Sequence, residues 1–134
     1  MMTTPEGLRW IQAGAEDLKA AESLLQDGYY HLCAFHAQQA AEKALKGLLR
    51  LLGRIPWGHS CLSLLTEVVG LLPPSATSPD LLEAAQRLDG HYISARYPDA
   101  YPSGTPADYY DEPAALQAKD DAALILTFVR NHLP

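Results

Sequence analysis

Polar side chains recur at helical spacing in the alanine-rich stretch FHAQQAAEKALK, residues 35–46. His36, Gln39 and Lys43 follow steps of three and four residues, so in a helix they share one face. An imidazole and an amide can donate and accept hydrogen bonds, and the lysine adds a compact positive charge. The spacing leaves two interpretations open: a solvated helix face, or a stripe that faces a groove and binds an anionic or polar ligand.

A second candidate for chemistry is the segment Arg96-Tyr97-Pro98-Asp99. Arginine can bind a carboxylate or a phosphate through two parallel hydrogen bonds, and a tyrosine ring can stack on a base. Pro98 restricts the backbone and would hold the pair in place. The alternative is a structural loop, pinned by an internal contact between Arg96 and Asp99 with Tyr97 packed on the protein.

Other chemistries have little support in the sequence. The histidines show no HxxxH or ExxH spacing, and neither cysteine lies in a CxxC, so we predict no metal site and no cofactor. No GxSxG turn and no phosphate-binding glycine loop is present. Cys33 lies among small apolar residues, which predicts a buried free thiol that fits a reducing cytoplasm.

Size and charge set the limits on fold and partners. The chain has 134 residues, which predicts a single domain over 1–134. Its net charge is -6, which argues against broad non-specific binding to nucleic acid. The first residues, MMTTPEGLRW, lack the features of a signal peptide, and no apolar run reaches the roughly 18 residues of a membrane span. We therefore expect a cytoplasmic protein.

Helix signals dominate the chain. Thr4-Pro5-Glu6 predicts the start of a first helix that ends near Asp27-Gly28, and a second helix follows from about 29 to 52. A short third helix is predicted from Ser60, and a fourth begins at Ser78-Pro79-Asp80 and carries Tyr92 on its apolar face. A tyrosine-rich loop over 91–113 precedes a last helix from about 111 to 132. This order predicts an all-α, up-and-down four-helix bundle with one additional short helix.

Several of these stretches together resemble a known family. FHAQQAAEKALKGLLRLLG, then His59, then LDGHYISARYPDAYPSGTP before a final helix is similar to the bacterial stand-alone HEPN domain (higher eukaryote and prokaryote nucleotide-binding). The resemblance runs from about residue 15 to 129. It implies a helical bundle that is often a homodimer, a minimal nucleotidyltransferase as the partner in a toxin–antitoxin-like pair, and binding of a nucleotide or similar polar ligand.

The resemblance also implies a location for the ligand. A groove between the second helix and the tyrosine-rich loop would bind it through His36, Gln39, Lys43, Arg96, Tyr97 and Asp99. Adjacent glutamines project about 100° apart on a helix, so Gln38 and Gln39 cannot both face the ligand. We expect Gln38, Glu42 and Lys46 to be surface or dimer-contact residues.

Two other functions stay open. Many members of the wider HEPN superfamily are metal-independent ribonucleases with an arginine, four to six residues, and then a histidine on a late helix. Arg87 and His91 have only three residues between them, whereas Arg54 and His59 have four but lie in a predicted loop. Arg87 and His91 are the catalytic candidates under this alternative, with RNA as substrate. The third hypothesis is a pure interaction module that uses the tyrosine-rich loop as its partner surface.

Overall fold

The computed structural model describes residues 5–134, and within them the secondary structure is entirely helical. Three long helices are α1 (Glu6–Gln26), α2 (Tyr30–Leu51) and α6 (Glu112–Asn131). Two shorter ones are α3 (Cys61–Gly70) and α4 (Pro79–Asp89), and α5 (His91–Ser94) is a single turn. Short 3₁₀ turns lie at Pro74–Ala76, Pro98–Ala100 and Pro106–Asp108. The predicted all-α bundle is confirmed.

Local signals in the sequence explain most helix ends. The side chains of Ser60, Ser78 and Asp111 accept hydrogen bonds from backbone N–H groups in the first turns of α3, α4 and α6. Gly28 and Gly53 follow α1 and α2 with φ of 81°, a conformation that favours glycine. Pro5 occupies the residue before α1, and the predicted capping residue Thr4 lies outside the described residues.

The central helix of the bundle is α2, which contacts every other helix. One apolar core surrounds it, built from leucines, valines and many alanines of α2, α3, α4 and α6, with Ile11 and Ala21 from α1. Alanine leaves little bulk between backbones, and glycine leaves less. Gly7 of α1 and Gly47 of α2 therefore lie so close that a Cβ on either would come within 2.5 Å of the other's carbonyl oxygen.

The fourth helix ends earlier than the sequence predicted. It was expected to carry Tyr92, but α4 ends at Asp89, and Gly90 separates it from the one-turn helix α5 that bears Tyr92. The tyrosine-rich segment therefore begins as a helical turn and not as a loop. Glycine is the poorest helix former after proline, which accounts for the break at Gly90.

Candidate functional site

The polar stripe of α2 faces α1 at two of its three positions. His36 Nδ1 lies 3.0 Å from Oδ1 of Asp17, and Lys43 Nζ donates to Oδ2 of the same carboxylate at 2.6 Å. Asp17 is on α1 and its side chain is only 14% exposed, while those of His36 and Lys43 are about one third exposed. The stripe is thus a partly buried ion-pair cluster, in which Asp17 compensates the charge that Lys43 would offer to an anion.

Gln38 and Gln39 have different surroundings. Gln38 is fully buried, and its Nε2 donates to Oε1 of Glu42 at 3.1 Å and to the carbonyl of His59 at 3.0 Å. Gln39 is half-buried and donates from Nε2 to Oε1 of Gln38 at 2.7 Å. Gln38 therefore ties α2 to the segment before α3, and Gln39 is the one of the two with a side open to solvent.

The expectation that Gln38, Glu42 and Lys46 are surface or dimer-contact residues is wrong for Gln38 and Glu42, which are buried, whereas Lys46 is half-buried. Glu42 is 4% exposed and accepts hydrogen bonds from Gln38 and, at 3.1 Å, from Nζ of Lys46. Nδ1 of His59 lies 3.2 Å from the same carboxylate. The segment between α2 and α3 folds back over this face of α2, so Gln38 and Glu42 are buried in a hydrogen-bonded network with Lys46 and with His59, whose side chain is 55% exposed.

Arg96 stands at the centre of an aromatic cluster. Its Cζ lies 4.6 Å from the ring centre of Phe35, 4.5 Å from that of Tyr92 and 4.7 Å from that of Tyr97. Its Nε donates to the Tyr92 carbonyl at 2.8 Å. Within residues 5–134 no hydrogen bond or ion pair engages its two terminal nitrogens, which remain available to an anion. Cation–π contacts of this kind hold the guanidinium plane in a fixed orientation.

The contact between Arg96 and Asp99 considered from the sequence does not form. Asp99 lies in the 3₁₀ turn Pro98–Ala100 and is exposed, and no ion pair joins it to Arg96. Tyr97 is 44% exposed. The aromatic rings, and not an acid in the same loop, hold Arg96 in place.

Phe35 connects the two groups of predicted ligand residues. Its ring meets the imidazole of His36 edge-on at 5.4 Å between centres, and it also lies against Arg96. The structure thus groups His36 with Lys43 around Asp17, groups Tyr92 and Tyr97 around Arg96, and connects the two groups through Phe35. Asp17 and Phe35 were missed because their partners lie far away in the chain. Tyr92 contacts Arg96 only four residues on, but the sequence placed it on the apolar face of the fourth helix.

The ribonuclease candidates lie in a separate polar cluster between α4, α5 and α6. Arg87 donates to both carboxylate oxygens of the buried Asp121, each at 2.9 Å, through Nε and one terminal nitrogen. Gln117 also donates to Asp121, at 2.9 Å. His91 Nδ1 lies 2.7 Å from the hydroxyl of Tyr110, and the two candidate side chains are held by different partners.

Burial sets the protonation of this cluster and of the thiols. It lowers the pKa of His91, which favours the neutral imidazole, although the nearby Asp121 carboxylate opposes the shift. Burial raises the pKa of Cys33 to about 11 and raises that of Cys61 further, with Asp89 and Glu42 adding to the latter shift. Both cysteines are therefore protonated thiols at neutral pH, buried as predicted for Cys33.

Among residues 5–134, no cluster of three or more His, Cys, Asp or Glu side chains is placed to bind a metal ion. No helix in the same range has the length and apolar character that crossing a membrane requires.

The fold is that of a small helical-bundle protein with an alanine-rich central helix and an arginine–aromatic cluster beside it. The family model described as "HEPN domain" matches residues 8–132, and the chain belongs to the HEPN family. The resemblance seen in the sequence is thereby confirmed.

Two similar solved structures come from a bacterium and an archaeon. TT1696 from Thermus thermophilus is 43% identical, with a TM-score of 0.86 over 96% of this chain and 98% of that one. ST0689, an archaeal HEPN homologue, is 38% identical, with a TM-score of 0.79 over 98% and 100% of the two chains. Among curated proteins, "Putative toxin MJ1304" from Methanocaldococcus jannaschii is 27% identical over 92% of this chain and 86% of that protein.

Proposed function

We propose that this HEPN protein is the toxin-like member of a toxin–antitoxin-like pair, and that it binds a nucleotide or a similar anionic ligand beside Arg96. The observation that carries the ligand site is the guanidinium of Arg96, oriented by three rings with its terminal nitrogens unengaged within residues 5–134. A phosphate can accept two parallel hydrogen bonds from such a group. The toxin-like role is supported by the similarity to the archaeal protein named as a toxin.

Each predicted ligand residue has a part in this proposal. Tyr97 is exposed enough to stack on a ring of the ligand. His36 and Gln39 would orient it, and Asp99 would accept hydrogen bonds from sugar or base groups. Lys43 contributes less than the sequence suggested, because Asp17 compensates its charge at 2.6 Å. Arg96 is therefore the main anion-binding group.

Nucleotide-dependent stabilisation tests the ligand site. A ligand at ten times its Kd stabilises a protein by about 1.4 kcal/mol, which raises the melting temperature by a few degrees. We expect ATP to raise the melting temperature of the wild type, and expect Arg96→Lys, which keeps the charge but loses the planar fork, to reduce that shift. Arg130→Lys is the matched control, since Arg130 is exposed near the end of α6. A melting temperature that millimolar nucleotide leaves unchanged would contradict the proposal.

The partner in this proposal is a minimal nucleotidyltransferase, and the protein itself is a homodimer. The support for both is the family to which the chain belongs. Co-expression of a tagged copy with the product of the neighbouring gene is expected to recover a minimal nucleotidyltransferase together with this protein. Sedimentation of the protein alone is expected to give twice the monomer mass. Tyr97→Ala separates a ligand site from a pure interaction module: loss of the partner with unchanged nucleotide binding would favour the module.

Ribonuclease activity through Arg87 and His91 is the second candidate. It is favoured by one arrangement: Arg87 is fixed by two hydrogen bonds to Asp121 yet its side chain is 46% exposed, so its remaining terminal nitrogen can reach a phosphate. The half-buried His91 has a lowered pKa, as suits a general base at neutral pH. Digestion of RNA by the purified protein, abolished by His91→Ala and unaffected by His132→Ala, would support it; activity unchanged by His91→Ala would exclude the pair.

A further inference from the structure

A groove between α1 and α2 shares one residue, Lys43, with the sites described above. It has a volume of about 340 Å³ and is lined by Glu6, Arg9, Trp10, Ala13 and Lys43. Neither Arg96 nor His91 lines it. Trp10 is half-buried and presents a large apolar surface next to charged groups, a combination that is common in protein recognition sites.

Positive charge collects around this tryptophan. Besides Arg9 and Lys43 in the lining, Lys46 Nζ lies 5.9 Å and Arg50 Cζ 5.0 Å from the centre of the Trp10 ring. These are four of the ten basic residues of a chain whose net charge is -6. Basic side chains are therefore concentrated around this groove in a chain that is acidic as a whole.

Three of the four cations already have a carboxylate partner. Arg9 pairs with Glu6 at an N–O distance of 3.1 Å. Lys43 pairs with Asp17 at 2.6 Å, and Lys46 pairs with Glu42 at 3.1 Å. Arg50 has no such partner within residues 5–134 and is exposed. Because Arg50 is a single available cation beside the indole of Trp10, the groove suits a ligand that carries a negative charge next to an apolar group.

We propose that this groove binds an acidic segment of a partner protein, with an apolar side chain packed on Trp10 and a carboxylate paired with Arg50. A nucleic acid is less suited, because its closely spaced phosphates need several uncompensated cations in a row, and three of the four cations here are already paired. A peptide places its carboxylates singly between apolar residues, which matches the pattern of the groove. The volume also fits one or two side chains of a peptide.

The probe for this proposal is a fluorescein-labelled peptide of about nine residues that alternates glutamate and leucine, with capped ends. Its anisotropy is measured against the full chain carrying Trp57→Phe, so that Trp10 is the only tryptophan. We expect saturable binding that weakens in high salt, together with a change in Trp10 fluorescence that places the peptide in the groove. A lysine–leucine peptide of the same length is expected not to bind.

Matched variants decide whether the groove is the site. Arg50→Ala is expected to weaken binding about three- to fivefold, as for the loss of one partly exposed ion pair. Lys19→Ala removes the same charge from an exposed position of α1 outside the groove and is expected to change nothing. Circular dichroism melts of both variants check that the fold is retained.

Four results would overturn the proposal. The first is that millimolar peptide does not bind, and the second is that Arg50→Ala leaves binding unchanged. The third is that a single-stranded oligonucleotide binds more tightly and gives the same Trp10 signal. The fourth is that the Trp10 signal changes with protein concentration alone. The last would mean that a second copy of the chain occupies the groove. Arg96→Lys is expected to leave peptide binding intact, so a failure of the nucleotide site would be distinguished from a failure here.

Discussion

Arg87 and Arg96 show that residue type alone does not fix the role of an arginine. Arg87 forms a bidentate pair with a buried carboxylate, whereas Arg96 rests on aromatic rings and keeps two nitrogens available within the described part of the chain. The motif around Arg96 could be recognised from adjacent residues. The partner of Arg87 could not, because Asp121 is 34 residues away and only the packing of α4 on α6 brings them together.

Removing the charge of Asp121 should lower stability. Asp121→Asn leaves the Arg87 guanidinium with a weaker, uncharged acceptor, and we expect a loss of about 1–2 kcal/mol in the free energy of unfolding. Urea denaturation measures it. Asp120→Asn is the control, since Asp120 is 57% exposed and pairs only with the adjacent Lys119 within residues 5–134, and it should change stability by less than about 0.5 kcal/mol. Equal effects of the two substitutions would contradict this account of the pair.

His91 should make stability depend on pH. Its pKa is lower in the folded protein than the ordinary value of 6.5, so below that value the unfolded chain binds a proton that the folded protein resists. The stability that neutral His91 contributes is complete above pH 6.5 and is lost as the pH falls through the folded-state pKa. Between pH 7.5 and 5, the free energy of unfolding should therefore fall less in His91→Gln than in the wild type. Denaturant titration at each pH measures this difference. His31, whose pKa burial also lowers, keeps part of the slope in the variant.

At the scale of elements, helix starts were predictable from the sequence and helix faces were less so. Caps such as Ser60, Ser78 and Asp111 act within three residues of the backbone groups that they satisfy, so the sequence displays them directly. The solvated side of α2 was misjudged because it depends on what folds back over the helix. His59, 17 residues from Glu42, closes over that side, and no periodicity within α2 reports this.

The packing of α1 on α2 should tolerate no side chain at its closest point. In Gly47→Ala the new Cβ would lie 2.5 Å from the Gly7 carbonyl oxygen and 2.7 Å from Cγ1 of Ile11, so the helices must move apart. We expect a loss of about 1–3 kcal/mol, seen as a lower melting temperature. Gly70→Ala at the end of α3 meets nothing within 4 Å and should cause no loss. A Gly47→Ala protein as stable as wild type would contradict the close approach.

At the scale of the whole molecule, charge separates local anion binding from general affinity for nucleic acid. The net charge is -6, and several basic side chains are compensated by carboxylates such as Asp17, Glu42 and Asp121. Non-specific binding requires several uncompensated cations that displace counterions together. The sequence alone was enough to predict weak general affinity for nucleic acid, because net charge does not depend on the fold. The sequence could not show which basic side chains remain without a carboxylate partner.

The same charge balance predicts that RNA binding is weak and depends little on salt. We expect the anisotropy of a fluorescein-labelled 20-nucleotide RNA to stay flat up to about 100 µM protein at 150 mM salt, since non-specific binders reach Kd values of about 10⁻⁴–10⁻⁶ M with far more basic surfaces. Lowering the salt to 20 mM should strengthen RNA binding only slightly, because cations such as Arg50 and Arg96 lie at separate sites. Tight binding with a steep salt dependence would contradict this expectation and indicate a continuous basic surface. Cleavage without tight binding would instead favour a small number of local phosphate contacts at Arg87.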